Sequence, residues 1–396
     1  MTDRQYIELH LTDDVRRLAL GNIPPGVDIR WCLQQIEGQQ IAQRKLPSWA
    51  RIRELWYPPR LPLEQCSGEA AALYKQRVVE QLLPNGSDRQ SFADLSGGMG
   101  VDCSFLAPLF DRSQYYERQE ELCRLALHNF PLLGLKDVEV INDDTVLSQE
   151  WRSHHYSLIF LDPARRSDAG RKTVALADCS PDVVALQAEL FAHAPFIMLK
   201  LSPMLDISMA LRQLHHVSQV HVVSVRGECK ELLLILRQGS QPEGVSIHCV
   251  NLDTDDPPVE SQTSEVSTTL VEYTDNVSTY LYEPNASLLK GGVHDVVAAR
   301  NGLLKLGNHS NLYTSSASVA HYPGRVFRVE AWSRFGKREL RDLLGTEQQA
   351  NITVRNFPAS VAELRKRLRL REGGELYLFA TTLTDGTHIL IKCRKV

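Results

Sequence analysis

The sequence predicts an α/β protein with a seven-stranded sheet, an N-terminal helical segment and a small C-terminal α/β domain. Short apolar runs alternate with helical stretches in the first half of the chain, and the runs end on small or acidic residues. Buried parallel strands have this pattern, because helices cover both faces of their sheet. The last part of the chain separately follows the order β-α-β-α-β-β. A length of 396 residues gives room for two or three domains.

Residues 1–88 are predicted to be a helical domain. Apolar residues at near-helical spacing predict one helix over residues 28–45, which ends at Pro47. A second helix is predicted over Ser67–Leu83, which the serine opens and Pro84-Asn85-Gly86 ends. The start of that helix, SGEAAALYK (67–75), either closes over a ligand or packs against the core.

Seven strands are predicted for residues 89–239, the central domain. The last two are close enough in sequence to form an antiparallel hairpin at the end of the sheet. The predicted strands are Ser91–Leu95, Gln114–Glu117, Val138–Asn142, Ser157–Asp162, Phe196–Leu201, His221–Val225 and Leu232–Leu236.

Residues 240–322 are interpreted as a polar connector. Strand-like pieces lie at Val245–Val250 and Tyr280–Tyr282, and a helix is predicted over Val293–Leu306. Residues 323–396 form the terminal domain. Its predicted elements are a strand over Arg325–Trp332, a helix from Ser333 to Gly345, a strand over Ile352–Phe357, a helix with a Ser360–Glu363 capping box that Gly373-Gly374 ends, and a hairpin at Asp385-Gly386.

The net charge of −4 hides an asymmetry along the chain. Residues 325–396 carry fifteen Lys and Arg against eight Asp and Glu, a net of +7, and residues 1–324 carry a net of −11. A basic tail of this kind suits an anionic partner such as a nucleic acid. A solvated helix face is, however, the commoner meaning of a basic run.

The cysteines and the apolar runs exclude several classes of protein. The eight cysteines lie far apart, with no CxxC pair and no Cys/His cluster at zinc spacing. We therefore expect reduced thiols, no disulfide framework and no metal site. The start, MTDRQYIELH, lacks the apolar core of a signal peptide, and no run approaches eighteen apolar residues. These features predict a cytoplasmic protein without a membrane span.

The most informative segment is FADLSGGMGVDC, residues 92–103. A strand that ends at Asp94 turns there into a helix through Ser96-Gly97-Gly98-Met99-Gly100. Glycine lets the backbone approach a ligand where a side chain would block it. A tight strand-to-helix turn without a ligand has the same composition. The lysine of a Walker phosphate loop and the GxGxxG pattern of dinucleotide sites are both missing.

Acidic residues end four successive predicted strands: Asp94, Glu117, Asp143 and Asp162. The carboxyl ends of parallel strands share one edge, where open α/β sheets bind ligands. Glu117 is placed to accept hydrogen bonds from two ribose hydroxyls, and Asp143 is placed to accept one from an adenine amino group. A single acid at such a place more often caps a helix. Four in register indicate a ligand at this edge.

Over residues 89–237 the sequence resembles the Rossmann-like, class I S-adenosylmethionine-dependent methyltransferases. DLSGGMG resembles their first motif, with Ser96 where the family usually has its first glycine. The resemblance implies S-adenosylmethionine as the cofactor, with Asp94 and Gly98 near the methionine end, Glu117 on the ribose and Asp143 near the adenine. The cofactor-binding residues expected on this basis are Asp94, Ser96, Gly97, Gly98, Gly100, Glu117, Asp143 and Asp162.

Asp162-Pro163-Ala164-Arg165 occupies the place of the family's fourth motif, next to the transferable methyl. The resemblance makes Asp162, Pro163 and Arg165 the expected catalytic residues. The motif lacks the aromatic of enzymes that methylate exocyclic base amines, and it is similar to that of RNA methyltransferases acting on ring atoms.

The methylated ring atom is expected to be a nitrogen. Carbon methylation of a pyrimidine needs a cysteine nucleophile, and Ser202 stands where such enzymes carry it. Cys179 is expected to cap or pack beneath a helix. In nitrogen methylation, Asp162 can accept or orient a ring proton.

Four basic residues lie in and just after the fourth motif: Arg165, Arg166, Arg171 and Lys172. On a loop beside the methyl group they could hold RNA phosphates. Surface solubility explains them equally well.

The tail, residues 325–396, resembles the THUMP-like domain found behind such methyltransferase cores. The best-matching segments are NFP, LRKRLRL and LYLFATTL, and YEPNASLLKGG (282–292) resembles a small ferredoxin-like module that accompanies the domain. THUMP domains are associated with RNA modification, so the resemblance implies that the tail docks RNA, tRNA or rRNA. The expected RNA contacts are Arg365, Lys366, Arg367 and Arg369.

The sequence therefore predicts a methyltransferase that acts on a ring nitrogen of a base in structured RNA. The acidic body keeps a second interpretation open, in which the acceptor is a protein or small molecule and the tail is a docking or dimerisation module. A non-catalytic RNA-binding protein is disfavoured, because all four strand-end carboxylates are intact.

Overall fold

The computed structural model describes residues 1–165, 176, 179–240 and 244–396. The predicted RNA contacts Arg166, Arg171 and Lys172 lie outside the described residues, and so does the side chain of Arg165. The chain forms two compact units. The first contains Met1–Val217 and Leu233–Ser240, and the second contains Ser218–Leu232 and Gln241–Val396.

The N-terminal segment of the first unit is helical, as predicted. Its helices are α1 (Asp3–His10), α2 (Val15–Ala19), α3 (Ile29–Lys45), α4 (Pro47–Ala50), α5 (Arg60–Gln65) and α6 (Glu69–Leu82). The predicted start of α6 was wrong, because Gly68 is its N-cap and the Ser67 hydroxyl donates to Asp102 instead. Trp49 and Tyr57 pack with Ala72 and Val101 in a core that joins this segment to the glycine-rich turn.

The part of the chain that forms the first sheet follows α6. Its elements, in chain order, are β1 (Ser91–Asp94), α7 (Val101–Leu106), β2 (Arg112–Tyr116), α8 (Glu120–Leu132), β3 (Val138–Ile141), β4 (Leu158–Leu161), β5 (Ala164–Arg165), β6 (Cys179–Ser180), α9 (Val183–His193), β7 (Phe196–Leu201), α10 (Ile207–Gln213), β8 (Val217–Val225), β9 (Glu228–Arg237), β10 (Ser246–Leu252) and β11 (Val259–Gln262), and all the strands except β5 and β6 belong to the sheet. Strands β5 and β6 form a separate antiparallel pair.

The sheet has nine strands among the described residues, in the order β11-β10-β8-β9-β7-β4-β1-β2-β3. The predicted α/β class is confirmed, and the observed sheet is compatible with the predicted seven strands, which β10 and β11 extend to nine. β10 and β11 lie in the segment interpreted as a connector, and β10 pairs in parallel with β8 over its whole length. The central strands β7, β4, β1, β2 and β3 are parallel neighbours, so their carboxyl ends share one edge.

The second sheet contains eight strands of the described chain, in the order β12-β14-β15-β13-β16-β19-β18-β17. The remaining elements are α11 (Thr263–Thr268), β12 (Tyr273–Thr274), β13 (Tyr280–Pro284), α12 (Ala286–Gly291), α13 (His294–Arg300), β14 (Leu304–Leu306), β15 (Tyr313–Ser315), β16 (Gly324–Arg334), α14 (Lys337–Leu344), β17 (Asn351–Arg355), α15 (Val361–Leu368), β18 (Leu376–Thr382) and β19 (His388–Lys395).

Three details of the second unit differ from the sequence-based expectation. The helix predicted over Val293–Leu306 ends at Arg300, because Gly302 has a positive φ of 63° and the chain then enters β14. Ser333 does not open a helix, since β16 continues to Arg334 by pairing with β19. Helix α15 ends at Leu368, before Gly373-Gly374, with Arg369 as its left-handed C-cap. The capping box and the final hairpin are both confirmed.

All eight cysteines are free thiols. Within the described ranges, no helix is both long enough and apolar enough to cross a membrane.

Candidate functional site

Asp94 and Ser96 lie where β1 turns towards α7. The Asp94 side chain is almost completely buried, at 1% exposure, and its Oδ1 accepts hydrogen bonds from the Ser96 backbone N–H (3.0 Å) and Oγ (3.1 Å). Burial raises the pKa of Asp94 to about 8, although the bonds from Ser96 act in the opposite direction. In the ligand-free protein this carboxyl is therefore largely protonated at neutral pH.

Ser96 also connects β1 to the end of β4. Its Oγ accepts a hydrogen bond from the backbone N–H of Asp162 at 2.7 Å. The serine that departs from the family's glycine therefore links the first and fourth motifs. A glycine at this position could not make either side-chain bond, so the sequence identified the departure but not its consequence.

Gly97, Gly98 and Gly100 are not all required in the turn for the same structural reason. Gly97, Gly98 and Gly100 all have positive φ angles. A Cβ on Gly97 would lie 2.6 Å from the carbonyl oxygen of Tyr116, and one on Gly100 would lie 2.7 Å from the Phe130 ring. Packing within the chain therefore requires both. A Cβ on Gly98 would meet only the Ser96 carbonyl oxygen, at 3.7 Å, so Gly98 alone faces open space.

Glu117 follows the last residue of β2 and is buried. Its Oε2 accepts the Gly98 N–H at 2.8 Å, and its Oε1 accepts the Gln119 N–H at 2.7 Å. A carboxylate has about four acceptor positions, so two remain for a ligand. The structure thus brings the end of the second strand into contact with the glycine-rich turn.

Asp143 lies two residues after β3 and is half-buried, with Oδ1 accepting the Asp144 N–H at 2.8 Å. The neighbouring Asn142 donates from Nδ2 to the Glu117 carbonyl oxygen at 2.8 Å. The ends of β2 and β3 are therefore tied together through Asn142, which sequence reasoning did not single out.

Asp162 follows β4, and its side chain is 40% exposed. Its Oδ2 forms an ion pair with the Lys200 ammonium. Lys200 is in turn 3.6 Å from Asp102 Oδ2, and Asp102 pairs with Lys75. These three partners were missed, although a lysine inside the apolar strand β7 was a visible signal.

Arg165 is part of β5, where its backbone pairs with that of Cys179 in β6. Cys179 is buried, at 4% exposure, and lies in the short strand β6, while the cap of the helix that follows is Asp182.

The predicted RNA contacts of the tail lie on α15 and its C-cap in the second unit. Lys366, Arg367 and Arg369 are exposed, and the Arg367 guanidinium lies 4.5 Å from the centre of the Phe335 ring. Arg365 is half-buried and donates to the Ala350 carbonyl oxygen at 3.2 Å. Three of the four side chains are thus open to an anionic partner.

Two family models match the chain: a ferredoxin-like domain over residues 280–323 and a THUMP domain-like family over residues 324–395. No curated protein matches it. The crystal structure of a putative methyltransferase from Porphyromonas gingivalis W83 is 36% identical in sequence and superposes with a TM-score of 0.87. That similarity covers 100% of this chain and 97% of the other. The chain belongs to the same family.

The predicted resemblance to a methyltransferase with a C-terminal THUMP-like domain is confirmed, because the similar crystal structure is that of a putative methyltransferase and the THUMP domain-like model matches the tail. An rRNA methylase from Streptococcus thermophilus is 12% identical, with a TM-score of 0.32, over 41% of this chain and 93% of its own. A predicted O-methyltransferase from Agrobacterium tumefaciens is 16% identical, with a TM-score of 0.31, over 42% of this chain and 80% of its own.

Proposed function

We propose that this protein is an S-adenosylmethionine-dependent methyltransferase that methylates a ring nitrogen of a base in structured RNA, tRNA or rRNA. The observation that carries the proposal is the hydrogen-bonded edge of the first sheet. Ser96 joins Asp94 to Asp162 there, and Gly98 is joined to Glu117. Open α/β sheets bind ligands at this edge. Family membership supports methyl transfer, and the THUMP-like domain supports RNA as the acceptor.

The donor groups at this edge fit S-adenosylmethionine. Glu117 keeps acceptor capacity for ribose hydroxyls, and the open space beside Gly98 leaves room for the cofactor. The buried carboxyl of Asp94 suits a ligand that carries positive charge. We assign the cofactor to Asp94, Ser96, Gly97, Gly98, Gly100, Glu117, Asp143 and Asp162, with Gly97 and Gly100 acting through the shape of the turn. When bound, the cofactor supplies an electrophilic methyl group on a sulfonium.

We assign catalysis to Asp162, Pro163 and Arg165. Asp162 Oδ2 is held by Lys200, and Oδ1 has no partner among the described residues. That oxygen can accept the proton of a ring nitrogen or orient the base. Pro163 fixes the backbone that follows Asp162. Arg165 is assigned to the acceptor.

A substitution at Cys179 tests whether the methylated atom is a nitrogen or a carbon. The backbone of Cys179 pairs with that of Arg165 in the fourth motif. Its 4% exposure argues against a nucleophile that must reach a base. Cys179→Ser is expected to keep the wild-type rate of transfer. Complete loss of transfer in a folded Cys179→Ser protein would favour a carbon acceptor instead.

RNA docking is assigned to Arg365, Lys366, Arg367 and Arg369, and to Arg165, Arg166, Arg171 and Lys172 beside the fourth motif. We divide the chain accordingly into a helical domain (1–88), a methyltransferase domain (89–239), a connector with a ferredoxin-like module (240–322) and an RNA-docking domain (323–396). The eight free thiols suit a reducing compartment, and we place the protein in the cytoplasm.

The test is transfer of a labelled methyl group from S-adenosylmethionine to total RNA and total protein, offered in parallel. Both fractions are taken from cells that lack this gene, since wild-type RNA can already carry the methyl group. We expect the label in RNase-sensitive material and, after digestion, in a nucleoside methylated on a ring nitrogen.

The variant Asp162→Ala, measured in the same labelling experiment, tests the catalytic assignment. It is expected to abolish transfer while weakening the affinity for S-adenosylmethionine only slightly, because seven of the eight residues assigned to the cofactor remain. Label in protein, or in a small molecule with both fractions empty, would contradict RNA as the acceptor and would recast the tail as a docking or dimerisation module. An unchanged turnover of Asp162→Ala would contradict the catalytic assignment.

A further inference from the structure

A row of alternating charges leads from the interior of the first unit to Asp162. Lys75 Nζ lies 3.1 Å from Asp102 Oδ1, Lys200 Nζ lies 3.6 Å from Asp102 Oδ2, and Lys200 also contacts Asp162 Oδ2. The Ser67 hydroxyl donates to Asp102 Oδ2 at 2.7 Å and accepts from Lys75 Nζ at 3.1 Å. Two cations and two anions therefore alternate along one path.

The exposed fraction of these side chains increases along the path. It is 0% for Lys75, 9% for Asp102, 11% for Lys200 and 40% for Asp162. Burial alone would raise the pKa of Asp102, but the ammonium groups of Lys75 and Lys200 outweigh it and hold that pKa below its usual range. Asp102 is therefore an anion at neutral pH. Asp162 is the one member of the row that a ligand can reach easily.

A buried row of charges is expensive for a protein that needs only stability. Removing two charged groups from water costs several kcal/mol per ion, and apolar side chains often fill the same space at no loss. A lysine also has a flexible four-carbon stem and three donors, so two carboxylates are needed to fix the direction of its ammonium. Asp102 and Asp162 supply those two carboxylates to Lys200.

We propose that Lys200 is a positioning residue that fixes the carboxylate of Asp162, and that Asp102 and Lys75 hold Lys200 in place. With Oδ2 held by Lys200, Oδ1 is directed to the acceptor. The inference rests on the proposed function, in which Asp162 acts at the transfer step. It also gives the N-terminal helical segment a role, because Lys75 lies in the middle of α6 and Ser67 lies just before that helix.

The first test is Lys200→Met, measured with the acceptor that the labelling experiment identifies. The single-turnover rate is expected to fall by about a hundredfold, as a misplaced catalytic group can cause. The affinity for S-adenosylmethionine, measured by calorimetry, is expected to change far less. The matched control is Lys305→Met, which removes a lysine that is even more buried, at 4% exposure, and that pairs with Asp295 at 2.8 Å in the second unit. Lys305→Met is expected to keep the rate.

A second variant covers the case in which Lys200→Met does not fold. The double variant Lys75→Met/Asp102→Asn removes one charge of each sign and leaves the ion pair of Lys200 with Asp162 in place. Its rate is also expected to fall, because Lys200 loses the carboxylate that anchors it. A wild-type rate in either folded variant would overturn the inference.

A third measurement does not depend on any acceptor. In protein labelled with ¹⁵N at lysine Nζ, the ammonium signal of Lys200 is expected to shift in Asp162→Asn and in Asp102→Asn, while the Lys305 signal stays in place. A Lys200 signal unchanged in both variants would overturn the inference. If nothing accepts the methyl group although S-adenosylmethionine binds, the proposed function fails, and the ammonium signals still decide whether Lys200 holds Asp162.

Discussion

Under the proposed function, Asp94 is expected to make the binding of S-adenosylmethionine depend on pH. Burial raises the pKa of its carboxyl to about 8 in the ligand-free protein. A positively charged ligand favours the ionised carboxylate, so binding releases a proton below pH 8. The affinity for S-adenosylmethionine is therefore expected to increase from pH 6 to pH 8, by at most about tenfold per pH unit, and then to level off. Calorimetry in buffers of different ionisation enthalpy measures both the affinity and the released proton.

The control for this prediction is Asp94→Asn. The amide oxygen can still accept both bonds from Ser96, but the side chain cannot ionise. Any titration of the cofactor itself remains in this variant. The difference between the two pH profiles of affinity therefore gives the contribution of the Asp94 carboxyl alone. Identical profiles would show that Asp94 does not face the positive charge.

Alanine substitutions at Gly97 and Gly98 test the stability of the turn and its access to a ligand separately. Gly97→Ala brings a Cβ against the backbone of β2 at a positive φ, and is expected to cost about 2–4 kcal/mol of unfolding free energy. Gly98→Ala meets no such neighbour, and is expected to cost only about 1–2 kcal/mol.

The order of the two variants is expected to reverse for the affinity for S-adenosylmethionine, with the larger loss in Gly98→Ala. Gly98→Ala is expected to weaken binding clearly, since the added methyl group occupies the open side of the turn. Denaturant unfolding and calorimetry on both variants provide the comparison. Full affinity in Gly98→Ala would mean that the cofactor does not approach Gly98.

At the scale of single elements, the capping box of α15 controls the helix that carries the basic residues. The Ser360 Oγ accepts the Glu363 N–H, and the Glu363 carboxylate accepts the Ser360 N–H at 2.7 Å. Ser360→Ala is expected to lower the unfolding free energy of the second unit by about 1 kcal/mol and to weaken RNA binding with it. Thr2→Ala removes the equivalent capping box of α1 in the first unit and should leave RNA binding unchanged. Equal RNA binding by Ser360→Ala would argue that α15 does not present the RNA contacts.

The ends of the central strands could be predicted from the sequence because their signals are local. A run such as Phe196–Leu201 is apolar throughout, and acidic residues follow β2 and β4 directly. Elements set by long-range pairing could not be predicted in this way. The strand-like piece at Val245–Val250 was identified and corresponds to β10, but its place in the first sheet was not, because its partner β8 lies more than twenty residues earlier. Ser333 looked like a helix cap because its partner strand β19 comes later. Gly302, which ends α13, was a local signal that the prediction overlooked.

In the candidate site, too, residues with a local sequence signal could be predicted, and residues that meet only in the fold could not. The carboxylates at the strand ends were identified, because each ends or closely follows a recognisable strand. The row from Lys75 to Lys200 was not, since its members come from α6, α7 and β7 and meet only in the fold. A lysine in an amphipathic helix normally indicates a solvated face, and only burial shows that Lys75 is an exception.

At the scale of the whole molecule, the separation of charge along the chain predicts how RNA binding responds to salt. The net +7 of residues 325–396 contrasts with the net −11 of the rest, so contacts to phosphates should come mainly from the tail. The logarithm of the binding constant is expected to fall linearly with the logarithm of salt concentration. Lys366→Ala and Arg367→Ala are each expected to reduce that slope by about one, because each removes a phosphate contact.

Fluorescence anisotropy of the full-length chain with labelled tRNA, over a series of salt concentrations, measures these slopes. Arg16→Ala is the matched control, since Arg16 is an equally exposed basic residue on α2 in the acidic part of the chain. It should leave the slope unchanged, whereas non-specific attraction of any basic side chain would lower the slope in all three variants. Binding that does not depend on salt would remove the electrostatic argument for RNA, because phosphate neutralisation always releases counterions. The acidic body would then favour a protein or small-molecule acceptor.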